Sequence, residues 1–153
     1  MTENRVLVFD MDGTLADFFG VANWLNDLQN ERVRPYVVAR PLYDMGEFVK
    51  VLNELKKIGY SVAVTSWLSK CGSQDFMDEI RQAKIEWLDK YEFPYDEIHL
   101  VKYGTTKANC TRRLGKSQIL FDDNEKIRKG WHLGETVDAN ENILDYLKGL
   151  LVK

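Results

Sequence analysis

An α/β fold, a parallel sheet covered by helices on both faces, is what the sequence predicts, and two observations predict it. Short apolar runs alternate along the chain with stretches of helical period. Those runs are nearly continuously apolar rather than apolar at every second residue, as strands buried on both faces read.

Four runs qualify as strands: Val6–Phe9, Val62–Thr65, Glu97–Val101 and Gln118–Phe121, all rich in β-branched or aromatic residues. Between them lie helical stripes. Met45, Phe48, Val49, Leu52 and Leu55 recur at helix spacing, with Asp44 placed to cap and Gly59 to stop the helix. Phe76, Ile80, Ala83, Trp87 and Tyr91 make a second stripe behind Ser73, and Ile143, Leu144, Leu147, Leu150 and Leu151 a third. Asp138 and Glu141 stand at capping-box spacing before the third. Core packing accounts for all three stripes.

The chain's 153 residues fit one domain spanning 1–153, without repeats, low-complexity tracts or a Gly/Ser linker. A composition 44% hydrophobic and 29% charged is close to the globular average, which excludes disorder and collagen-like repeats. The formal charge of −3 argues against non-specific binding to nucleic acid or membrane as the main role. No apolar stretch approaches the length needed to cross a bilayer and no signal-peptide pattern leads into Val6–Phe9, so a cytoplasmic protein is expected. Cys71 and Cys110 lie in unrelated segments and are expected to be reduced thiols; with His99 and His132 far apart, zinc is not expected.

In parallel sheets ligands bind beyond the carboxyl ends of the strands, so the residues there are the ones to read. The first strand ends in Asp10-Met11-Asp12-Gly13-Thr14. Residues two apart on an extended segment point the same way, so Asp10 and Asp12 face one site, and Gly13 permits a turn. The fourth strand ends in Asp122-Asp123-Asn124, where adjacent carboxylates repel unless a cation or hydrogen-bond donors compensate. A solvated turn at the first place and a helix cap at the second would explain each pair separately. Together, four carboxylates at two strand ends make an all-oxygen site suited to Mg²⁺.

The second strand ends in Thr65-Ser66-Trp67, where hydroxyls and free backbone N–H groups suit a phosphate oxygen. Lys107 follows Tyr103-Gly104-Thr105-Thr106, where a threonine is placed to cap a short helix running toward Leu114. An anion there would make a lysine in a first helical turn favourable. Lys102 competes for the role from the edge of the third strand.

In this order along the chain, Asp10-Met11-Asp12-Gly13-Thr14, Thr65 with Ser66, Lys107 and Asp122-Asp123 resemble the four motifs of the haloacid dehalogenase-like (HAD) hydrolases. The resemblance implies a three-layer Rossmann-like core and phosphoryl transfer through an aspartyl-phosphate. In that scheme Asp10 is the nucleophile, and Asp12 protonates the leaving oxygen and then activates water. Mg²⁺ is held by the Asp10 side chain, the Asp12 main-chain carbonyl and Asp122, with Asp123 in support. Thr65, Ser66, Trp67 and Lys107 contact the substrate, with Thr65 and Lys107 on the phosphoryl group. Only residues of about 16–42 remain for a cap, enough for a helix and a loop, so a small or absent cap is implied.

The segment Asp10–Phe18, with Ala16-Asp17-Phe18 after the first motif, further resembles the small 5′(3′)-deoxyribonucleotidase-like proteins, which implies a (deoxy)nucleoside monophosphate. Phe18, Phe19, Trp24, Tyr43 and Trp67 are near enough to the motifs to stack on a base, or else they pack the core. The expected partner is a small phosphomonoester. The alternatives are a phosphatase for a bulkier nucleic-acid end or phosphoprotein, and a non-catalytic phosphoacceptor or binding domain. A receiver-type phosphoacceptor places its acid pair after the first strand and its lysine after the last; here the acid pair follows both the fourth strand and the lysine. Arg112, Arg113 and Lys116 read as a solvated basic face rather than a groove.

Overall fold

A computed structural model describes residues 5–152 and forms a single five-stranded sheet. The strands are β1 (Val6–Phe9), β2 (Ser61–Trp67), β3 (Glu97–Val101), β4 (Gln118–Asp122) and β5 (Gly134–Asp138). All are parallel, in the order β3-β2-β1-β4-β5. The chain winds outward from β1 through β2 to β3, then crosses to the other side of β1 for β4 and β5. That reversal opens a crevice beside the end of β1, where ligands of such sheets bind.

The strands differ from the expected ones at their ends and in number: β2 also takes in Ser61, and β4 takes in Asp122. Ser66 and Trp67 continue β2 rather than starting its loop, because they pair with Leu100 and Val101 of β3. β5 went unread: Gly134, Glu135 and Thr136 are exposed, and only Val137 is buried, so this edge strand shows no apolar run.

Alternation along the strands divides the core between two faces. Leu7, Phe9, Val62, Val64, Ile119 and Phe121 point to one face, against α3 (Met45–Lys57), the C-terminal half of α4 (Gln74–Lys90) and α7 (Ile143–Leu151). Val6, Val8, Ala63 and Leu120 point to the other, against Ala108, Ile127, Trp131 and Leu133. That second face is covered by short α5 (Ala108–Thr111), a 3₁₀ turn (Arg112–Leu114) and α6 (Glu125–Lys129).

Asp44 and Ser73 cap α3 and α4, accepting from the N–H groups of Glu47 and Phe76 at 3.1 Å. The cap of α7 is Asn142, which accepts from Asp145 N–H at 3.1 Å, and not the Asp138/Glu141 box. Asp138 is held by β5, in register with Asp122. No threonine side chain caps α5, whose N-cap position is Lys107; Thr105 instead donates back to the carbonyl of Lys102 at 2.6 Å.

Between β1 and α3 the chain forms two short helices, α1 (Trp24–Gln29) and α2 (Arg34–Val38), where one helix and a loop were expected. Phe18 and Tyr36 from this segment pack with Phe76, Ile80 and Ala83 of α4. Glu31 accepts from both the N–H and the hydroxyl of Ser73, which ties the segment to the start of α4. Among the described residues no helix is long and apolar enough to cross a membrane.

Candidate active site

β1 delivers Asp10 and the loop behind it, and a tight turn fixes that loop. The carbonyl of Met11 accepts from the N–H groups of Thr14, Leu15 and Ala16 at 2.8–3.1 Å. Gly13 sits at φ +82°, and a Cβ there would lie 2.3 Å from Asp123 Oδ2. Glycine is required on both counts: the backbone is left-handed and the Asp123 carboxylate, just past β4, occupies the side-chain space.

Asp10 is buried and held on both oxygens. Thr14 Oγ1 donates to Oδ2 at 3.0 Å, and Lys107 Nζ to Oδ1 at 2.9 Å. Lys107 also donates to Asp122 Oδ2 at 2.8 Å, so one buried ammonium bridges the ends of β1 and β4. Lys102 is exposed and takes no part. Asp123 completes the group: Asp10, Asp122 and Asp123 each offer an oxygen within 4.8 Å of the others. Arg128 donates to the Asp122 carbonyl at 2.9 Å and pairs with Asp138 at 3.2 Å, which steadies the end of β4.

The electrostatics of this group are unbalanced. Burial pushes the Asp10 carboxyl up, yet the ammonium of Lys107 and hydrogen bonds from Asp123 and Lys107 bring it below its ordinary value. The other two rise. Burial and the negative charge of Asp10 push Asp122 up to about 6 and Asp123 up to about 8. Lys107 keeps its proton well above its ordinary range, because Asp10 and Asp122 outweigh the effect of burial. Three carboxylates with one direct cation are short of positive charge, and the acids respond by holding protons. A hard divalent cation supplies that charge, and an all-oxygen donor set is what Mg²⁺ takes. The residues present therefore fit the ion.

Asp12 stands apart from the three. Its carboxylate pairs with Lys84 Nζ at 3.0 Å and is not part of the cluster, so three of the four expected carboxylates converge through their side chains. Burial raises its pKa despite the attraction of Lys84. Thr65, fully buried and one residue beyond the Phe9–Val64 pair that ends the β1–β2 ladder, has a hydroxyl with no partner among the described residues. Ser66 is buried and accepts from Lys84 at 2.6 Å. The Trp67 indole N–H donates to the Thr105 carbonyl at 2.8 Å, and its ring lies 5.6 Å from Lys107 Nζ.

A cavity of about 760 Å³ opens from these groups toward the 16–42 segment. Asp10, Asp12, Ser66, Lys107, Asp122 and Asp123 line its floor; Phe18, Phe19, Trp24, Tyr36, Trp67 and Tyr103 line its walls. Four of the five rings singled out in the sequence are thus at the cavity. Tyr43 is not: it packs on Phe48, and its hydroxyl accepts from Ile143 N–H at the start of α7.

Three contributors were missed. Tyr36 is far in sequence from any motif, whereas Tyr103 stands four residues before Lys107, and that nearness was its available signal. Lys84 lies four residues after Ile80, on the buried side of α4, and a lysine interrupting an apolar stripe was the available signal.

No protein-family model and no curated protein matches the chain. Among solved structures it is similar to the D,D-heptose 1,7-bisphosphate phosphatase from Burkholderia thailandensis, with a TM-score of 0.58 and 10% sequence identity. The match covers 97% of this chain and 99% of that one. At this identity the likeness establishes the fold alone, an α/β, Rossmann-like parallel sheet with helices on both faces, as the sequence predicts.

Proposed function

We propose that the protein is a Mg²⁺-dependent phosphomonoester hydrolase that works through an aspartyl-phosphate on Asp10. The observation that carries this reading is the bridge made by Lys107 between Asp10 and Asp122, with Asp123 closing a charge-deficient carboxylate cluster at the strand ends. Asp10, the main-chain carbonyl of Asp12 and Asp122 would hold the ion, with Asp123 in support. Bound there, Mg²⁺ supplies charge compensation for a carboxylate approaching a dianionic phosphate.

The chain's own residues do the remainder. Asp10 attacks phosphorus, forming an acyl-phosphate bond as the ester P–O bond breaks. Asp12 gives its proton to the departing oxygen and then takes one from the water that cleaves the acyl phosphate. Its raised pKa is in the sense an acid requires. Lys107 orients Asp10 and offsets phosphoryl charge, and the unpartnered hydroxyl of Thr65 offers a donor beside it.

The 16–42 segment acts as a small cap on a single domain, and the preferred substrate is a (deoxy)nucleoside monophosphate. The cavity is of the size that holds a small ligand, and its rings suit a flat base. A sugar phosphate is the second reading, favoured by the substrate in the name of the structural relative. Both described cysteines are free.

Release of phosphate from a generic aryl phosphate with Mg²⁺ tests the chemistry. Activity in the wild type that is lost in Asp10→Asn supports it, and wild-type turnover by Asp10→Asn refutes the nucleophile. A screen of nucleotide, sugar and amino-acid phosphates tests the substrate. A profile with no nucleotide above background retires the nucleotidase reading.

A further inference from the structure

Lys84 and Lys107 are the two buried lysines among the described residues, and the chemistry above uses only Lys107. Lys84 is carried on α4, between Ile80 and Leu88 on the helix side that packs inward, and its side chain is 1% exposed. An ammonium withdrawn from water is unfavourable unless fully paired, and this one is. Its three protons meet three acceptors: Asp12 Oδ2 at 3.0 Å, Ser66 Oγ at 2.6 Å and the carbonyl of Trp67 at 2.9 Å. The ring of Tyr36 lies 5.2 Å from the same nitrogen.

A saturated ammonium cannot also take a phosphoryl oxygen without giving up one of these bonds. Its effect must therefore pass through its partners. Of those, Ser66 and the Trp67 carbonyl belong to β2, which the sheet already fixes. Asp12 belongs to the loop after β1, and Lys84 makes its one side-chain hydrogen bond among the described residues. Lys84 holds Oδ2, leaving Oδ1 without a hydrogen bond, on a carboxyl that keeps 21% of its surface open at the cavity.

We propose that Lys84 is a positioning residue: it aims the Asp12 carboxyl at the leaving-group oxygen, and it does so from a helix whose inward face also carries the 16–42 segment. This rests on the phosphatase reading above, with Asp12 as the acid. A clamp on the acid matters in proportion to how much the leaving group needs a proton. Generic loosening of the fold, in contrast, slows all substrates alike.

The test is kcat/KM with Mg²⁺ for a simple alkyl phosphate, whose leaving group needs protonation, and for p-nitrophenyl phosphate, whose leaving group does not. It is run on wild type, Lys84→Met and Lys84→Gln, with thermal melting recorded for each. Lys84→Met is expected to lower the alkyl ester's value at least about 30-fold and the aryl ester's by less than about 3-fold. Lys84→Gln keeps a donor and is expected to show a smaller loss of the same selectivity. If Lys84→Met does not fold, the selectivity of Lys84→Gln decides. Equal losses on both esters, or no loss on either, overturn the proposal. Wild-type protein inactive on both esters overturns the phosphatase reading and this proposal with it, and that result is distinct from equal losses.

Discussion

On the floor of the crevice, charge is met by charge: Lys107 bridges Asp10 and Asp122, Lys84 holds Asp12, and Thr14 holds the second oxygen of Asp10. The walls are built otherwise. Phe19 and Tyr103 are about half exposed, and Trp24 and Trp67 are partly so. These rings hold one another: Phe19 lies edge-on to Phe18 and Trp24, and Trp67 lies against Tyr103. A floor of buried, hydrogen-bonded ions, still short of positive charge at Asp123, has one arrangement, because displacing Lys107 or Lys84 strands a carboxylate in low dielectric. The exposed rings of the wall, Phe19 and Tyr103 above all, tolerate exchange of one ring for another, whereas Phe18 and Tyr36 are buried. Under the proposed function, the reaction belongs to the first region and the choice of substrate to the second.

Substitutions that act on one region and spare the other can break this comparison. The largest effect belongs to the floor. Lys107→Met removes the shared cation of Asp10 and Asp122, and phosphate release is expected to fall by roughly 10³-fold. A loss within a few-fold of wild type would show that the bridge is not part of the chemistry.

Metal removal comes next. In the metal-free protein the folded-state pKa values of Asp122 and Asp123 lie above the ordinary 3.8, at about 6 and about 8. A carboxylic acid with a raised folded pKa favours the folded state when protonated, so its contribution is lost as pH rises from about 4 to about 8. The melting temperature in chelator is therefore expected to fall over that range, and Mg²⁺ is expected to restore it most at the alkaline end. A metal-free melting curve that rises with pH there would contradict the charge-deficient cluster.

The smallest effect belongs to the wall. Phe19→Ala is expected to raise KM for a nucleoside monophosphate roughly 3- to 10-fold, as the loss of one aromatic contact does. Turnover of a small alkyl phosphate should stay unchanged. An equal effect on both would mean that Phe19 supports the floor rather than the substrate.

The floor was legible in the sequence because it lies at strand ends. Each buried strand is an apolar run, and whatever polar residue follows it is placed at the crevice by topology alone. That logic located Asp10, Asp122 and Asp123 by position, and Lys107 through its place among the four motifs. It could not find Lys84, which reaches the floor sideways from the middle of a helix whose stripe reads as core. Nor could it separate Asp12 from the other acids, since alternation gives a side chain's face but not its partner. β5 was illegible because three of its five residues are exposed and it pairs only with β4. Tyr36 lies on a segment joined to the cavity only by the tertiary fold, so no local pattern ties it there; Tyr103 stands four residues before Lys107, on a loop where no periodicity sets a ring's direction.

Under the proposed function, Asp10 becomes phosphorylated during each turnover. The most direct measurement is the mass of the Asp10-containing peptide after acid quench during turnover of an aryl phosphate with Mg²⁺. A phosphoryl adduct on that peptide, absent from Asp10→Asn and from metal-free protein, is the predicted result. Undiminished phosphate release by Asp10→Asn, with no adduct in the wild type, would contradict it.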